Sequence, residues 1–135
     1  MSWCIIKQAL CGKGEDDQYR EIKDRLDWQR NVLQKLQCQI RVPKIIDCFE
    51  YQDDSYLVLE YIDGLTLHET VMGHRKSRQW KCLPKTYKTF LAGIYLKVVD
   101  AVASIHAAGF IHRDITDGNF ILTQKDKIAC IDFEL

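Results

Sequence analysis

The chain has 135 residues, 47% hydrophobic and 28% charged, the composition of a single globular domain long enough to bury a core. Nineteen Lys/Arg and nineteen Asp/Glu cancel to a formal net charge of zero, so no overall field calls for nucleic acid or a membrane surface. No unbroken apolar run approaches the ~20 residues that span a bilayer, and "MSWCIIKQAL" turns polar too soon for a secretory signal.

Trp3 to Gln8 reads as a short strand, followed by the polar loop "CGKGEDD". From Asp17 to Leu36 the apolar positions Ile22, Leu26, Leu33 and Leu36 share one helical face, and Gln29 lies on that same face. Ile45–Tyr51 and Tyr56–Tyr61 are β-rich runs joined by "QDDS", a hairpin signal. The chain leaves the second run through a turn at Asp63-Gly64, and Leu67 to Lys85 is expected to hold one short helix ending near Pro84. Thr86 to Ala108 is the longest periodic stretch, with apolar positions nearly all round and Gly109 placed as its C-cap. Phe120–Leu122 and Ile128–Phe133 are strands about the turn "TQKDK".

Six cysteines lie far apart without a C-x-x-C pair, which argues against a zinc site or redox motif and points to a reducing, cytoplasmic setting. Cys4, Cys48 and Cys130 fall inside strands, where a free thiol is expected as a small core hydrophobe.

The chemistry gathers at the end. His112-Arg113-Asp114, four residues, and Asn119 form the pattern H-R-D-x-x-x-x-N, and Asp132-Phe133 follows one hairpin later. Phosphoryl transfer needs a carboxylate to orient a hydroxyl and take its proton, and oxygen ligands for the metal that neutralises the phosphates. Asp114 suits the first task, Asn119 and Asp132 the second. Taken singly each has a plain reading: a buried Asp in a turn is more often a cap, and His112 packs and fixes the loop. The ordered set is specific.

These motifs resemble a protein kinase, and the resemblance implies an α+β fold. Residues 1–62 would be a partial small lobe and hinge, and residues 63–135 the start of the helical large lobe. It implies ATP and Mg2+ as cofactors, with Lys7 in "WCIIK" anchoring phosphates. In "YLVLEYIDG", Leu59 takes the gatekeeper place and the Glu60 and Ile62 backbones face the adenine edge. Ile5, Ile121 and Ile131 would line the slot around the base, although each is equally a plain strand-core residue. The glutamate that pairs with the strand lysine in this family is replaced by Gln29; Asp27 and Glu21 are the nearby acids.

Two departures narrow the family. Thr116 stands where serine/threonine kinases carry lysine, and the metal motif reads Asp132-Phe133-Glu134. "HRDITDGNF" and "CIDFEL" are most similar to the kinase domain of class III lanthipeptide synthetases, lyase–kinase–cyclase enzymes. That resemblance implies a precursor-peptide substrate phosphorylated on Ser or Thr. The glycine-rich hairpin before the lysine strand and the segments after the metal motif are expected to be missing, leaving one face of the long helix for other domains, a partner or a second copy. Six Lys/Arg between Arg75 and Lys88 read as a solvated basic face or as a dock for an acidic peptide, with Arg75, Lys76 and Arg78 as the residues to test. The rival functions are a non-catalytic kinase-like assembly module and a small-molecule phosphotransferase. Arg113 opposes the latter, which usually carries glycine there.

Overall fold

The computed structural model describes residues 3–11, 22–75 and 79–133, with the side chains of residues 22, 74 and 75 left aside. Along the chain run β1 (Cys4–Ala9), α1 (Ile22–Leu36), β2 (Ile45–Tyr51), β3 (Asp54–Glu60), β4 (Gly64–Thr66), α2 (Leu67–Arg75), a 3-10 turn (Trp80–Cys82), α3 (Lys85–Ala107), β5 (Phe120–Thr123) and β6 (Ile128–Cys130). The strands form two antiparallel three-stranded sheets, ordered β1-β3-β2 and β4-β5-β6. This is the α+β, partial kinase-like arrangement expected.

The upper sheet is built on a tight hairpin. Gln52 and Asp53 both have positive φ (51° and 67°), the mirror-image turn whose twist matches the flanking strands. β3 therefore starts at Asp54, two residues before the expected Tyr56. Helix α1 covers the sheet with Val32, Leu33 and Leu36, and Gln29 is buried on the same side, as its spacing indicated. The Asp17–Glu21 part of the expected helix lies outside the described residues.

The lower half departs from the sequence reading in several places. Gly64 is not a turn but the first residue of β4, because it pairs with Thr123 of β5. Thr66 and Glu69 close a reciprocal capping box that starts α2: the Glu69 amide donates to Thr66 Oγ1 (3.1 Å), and the Thr66 amide donates to Glu69 Oε2 (2.8 Å). A separate 3-10 turn at Trp80–Cys82 then precedes α3, so the segment holds two helical pieces.

Helix α3 buries Leu91, Ile94, Val98 and Ile105 and leaves Leu96 and Val99 66% and 61% exposed. It is apolar enough, by length and composition, to cross a bilayer, which the run-length argument overlooked. Lys97 and Asp100 interrupt its apolar surface, and much of that surface, Phe90, Tyr95, Leu96 and Val99, is exposed. Gly109 (φ 85°) ends it, with Phe110 N–H returning to the Ile105 carbonyl at 3.1 Å.

A single core cluster joins α1, β3, α3, β5 and β6. All six thiols are free. Only Cys130 is a core residue, its thiol pushed up to about 12 by burial. Cys4 and Cys48 are exposed instead, because β1 and β2 are the two edge strands of the upper sheet.

Two glycines should respond oppositely to substitution. A Cβ on Gly64 would stand 2.4 Å from the Leu122 carbonyl oxygen, whereas one on Gly93 in α3 meets nothing within 4 Å. Gly64→Ala is expected to cost about 1–3 kcal/mol, and Gly93→Ala to gain about 0.5–1 kcal/mol. Urea midpoints moving in the same direction would contradict this packing.

Candidate active site

The chain between α3 and β5 folds on itself through short backbone bonds. The Thr116 amide donates to the Asp114 carbonyl and the Asn119 amide to the Thr116 carbonyl, both at 3.1 Å. Asn119 is buried and turns its NH2 group back onto Asp114, donating to the carbonyl (3.0 Å) and to Oδ2 (2.5 Å). With the nitrogen so occupied, the Asn119 Oδ1 is the end left for an electrophile.

The β5–β6 hairpin returns the chain to this loop. Ile131 N–H donates to the Asn119 carbonyl at 3.0 Å, which places Asp132 near Asn119. β6 ends at Cys130 rather than Phe133, because Asp132 takes a left-handed conformation (φ 55°) that leaves the strand. Its carboxylate forms an ion pair with the Lys7 ammonium, reaching up from β1. Gln29 does not meet Lys7: its Nε2 donates to the Phe133 carbonyl at 3.3 Å. Asp27 pairs with Arg30 on its own helix (3.3 Å), and Glu21 and Glu134 lie outside the described residues.

Behind these groups lies a cavity of about 250 Å3. Ile5 and Lys7 of β1, Gln29 of α1, Leu59 and Glu60 at the end of β3, Ile62, Ile121 of β5, and Ile131 with Asp132 all line it. Leu33 and Pro43 line it too. Leu33 was legible, since it sits one helical turn beyond Gln29; Pro43 had no sequence signal. The Glu60 side chain is engaged elsewhere, in a two-pronged bridge with Arg41 at 2.7 and 2.8 Å. The guanidinium's hydrogen bonds hold the Glu60 carboxyl below the usual range and raise Arg41, against a smaller opposing effect of burial. Glu60 N–H donates to the Lys44 carbonyl at 2.8 Å.

His112 is fully buried between Phe120 and Phe133, with ring centroids 5.6 and 4.6 Å away. Neither ring nitrogen has a hydrogen-bond partner among the described residues. Burial pushes its pKa down and outweighs the upward pull of the Ile131 backbone and the Asp114 and Asp132 carboxylates. The ring is neutral and structural. The Arg75–Arg78 part of the basic stretch lies outside the described residues or side chains.

Among the described residues no three His, Cys, Asp or Glu side chains gather as a metal cage. An amide oxygen and a carboxylate are hard oxygen donors, which suit a cation that draws its other ligands from water and phosphate and do not suit zinc. That Asp132 already faces an ammonium agrees with a place for positive charge.

The order of parts is that of a partial protein-kinase-like fold. The family model described as protein kinase domain matches residues 10–135, and the chain belongs to that family. It is 31% identical over 131 residues to serine/threonine-protein kinase B of Synechocystis sp., covering 96% of this chain and 21% of that protein. With CDPK-related kinase 5 of Arabidopsis thaliana it shares 28% identity over 89% of its own length and 18% of the relative's. A probable SapB synthase of Streptomyces coelicolor is 26% identical, over 96% of this chain and 14% of that protein. The chain thus spans about a fifth or less of these relatives.

The buried histidine generates a pH prediction. Its pKa is lowered on folding, so as pH falls below the ordinary value of 6.5 the unfolded chain takes up the proton first and stability drops. Denaturant unfolding between pH 7.5 and 5.5 should show that loss, and His112→Phe should flatten it. A variant as pH-sensitive as the parent would place the titrating group elsewhere.

Proposed function

We propose that this chain is an ATP- and Mg2+-dependent kinase core that phosphorylates Ser or Thr of a peptide or protein. The observation that supports the reading is the juxtaposition of Lys7, Asp132, Asn119 and Asp114 beside one apolar cavity. Ile5, Ile121 and Ile131 enclose the base, with the Glu60 carbonyl and the Ile62 backbone at its polar edge. Lys7 holds the phosphates, and Asn119 Oδ1 with Asp132 holds Mg2+. Bound there, the metal supplies neutralisation of phosphate charge. Asp114, one oxygen held by Asn119, takes the substrate hydroxyl's proton on the other.

The finer proposal is the kinase part of a class III lanthipeptide synthetase, working in the cytoplasm on its precursor peptide. Support comes from "HRDITDGNF" and "CIDFEL" and from the match to a protein named as a synthase. The open face of α3 then meets the remaining domains of the larger enzyme or a second copy. One observation favours a second reading, a non-catalytic kinase-like module: no carboxylate of α1 pairs with Lys7 among the described residues.

Calorimetric titration with ATP, with and without Mg2+, tests the first reading. Magnesium-dependent binding that disappears in Asp132→Asn is expected, together with peptide phosphorylation that Asp114→Asn slows by roughly 100-fold or more. Binding without phosphorylation of any Ser/Thr peptide would favour the module, and no binding at all would end the nucleotide reading.

A further inference from the structure

Gln29 is the buried polar side chain of α1, 5% exposed, and it faces the candidate site. An amide there cannot neutralise Lys7, and it makes no hydrogen bond to Lys7 among the described residues. It grips the backbone carbonyl of Phe133 instead, one residue beyond Asp132.

Asp132 needs such support. A non-glycine residue with φ 55° persists only where its surroundings fix it. Besides the Ile131–Asn119 backbone bond before it and the packing of Phe133 on His112 after it, two polar holds act here: the Lys7 ammonium on its carboxylate and the Gln29 amide on the carbonyl that follows. The first is exchangeable, because Lys7 must give up Asp132 when phosphates and a divalent cation take their places. The second is untouched by that exchange, since it is made to the main chain.

We infer that Gln29 is a positioning residue for the cation-binding carboxylate Asp132, acting through the Phe133 carbonyl, and is not a substitute partner for Lys7. The inference rests on the kinase reading and adds a role to it. Helix α1 then governs the site through the metal segment rather than through the phosphate-anchoring lysine. Removing the amide should loosen Asp132 and spare the apolar slot.

Gln29→Leu removes the donor at similar volume, and Gln29→Glu is isosteric but places a carboxylate against a carbonyl while offering Lys7 a charge partner. The test measures nucleotide affinity in EDTA, and Mn2+ affinity at saturating non-hydrolysable ATP analogue by electron paramagnetic resonance. In both variants Mn2+ affinity should fall about tenfold or more, the size seen when a group orienting a metal ligand is lost, and clearly further than nucleotide affinity in EDTA falls. Melting scans check that each variant folds; if Gln29→Leu does not, the isosteric Gln29→Glu carries the comparison. Tighter or unchanged Mn2+ binding in Gln29→Glu overturns the inference, as does an equal fall of both affinities, the mark of a packing role. A parent chain that shows no Mn2+-dependent nucleotide binding overturns the kinase reading itself, and with it this inference; normal parent binding with unaffected variants overturns the inference alone.

Discussion

One backbone hydrogen bond, from the Ile131 amide to the Asn119 carbonyl, sets the geometry on which the site depends. It extends the β5–β6 ladder by one step beyond the Phe120–Cys130 pair, so the loop before β5 and the segment after β6 share one end of the hairpin. Asn119 then works in two directions. Its side chain fastens Asp114, and its main chain fastens the approach to Asp132. A hairpin of this kind brings residues thirteen apart in sequence together without spending long-range chain entropy, because the intervening turn is short.

The dry side of the hairpin stabilises the wet side. Phe120, Ile128 and Cys130 are buried on one face, and His112 packs between two phenylalanines, Phe120 among them. A neutral imidazole suits that place as a flat, mostly apolar plate packed on two aromatic rings. The charged groups stay where solvent reaches them: Lys7 and Asp132 are both partly exposed, so their attraction is moderate and reversible.

Much of the scaffold was legible because it follows periodicity. The α1 stripe, the all-round pattern of α3, the Gly109 stop and the two hairpins needed only local rules. The eight residues that the kinase resemblance named for the nucleotide, together with Asp132, line one cavity. Failures came where a tertiary partner overrode the local signal. Asp63-Gly64 looks like a turn, and Gly64 is a strand because β5 passes too close for a side chain. "IACIDF" looks like one strand, and Asp132 breaks it to reach Lys7. Cys4 and Cys48 carry strand signals, but sequence does not say which strand lies at an edge. The "TLHE" capping box was a missed local signal that could have located α2.

Arg41 spans both halves of the molecule at the back of the cleft. Its carbonyl accepts the Cys130 amide at 2.9 Å, and its guanidinium grips Glu60 at the end of β3. One residue therefore ties the lower sheet to the upper one. Parting the two sheets at Arg41 means breaking a two-pronged bridge and a backbone bond, whereas at Lys7 it means breaking one partly exposed ion pair.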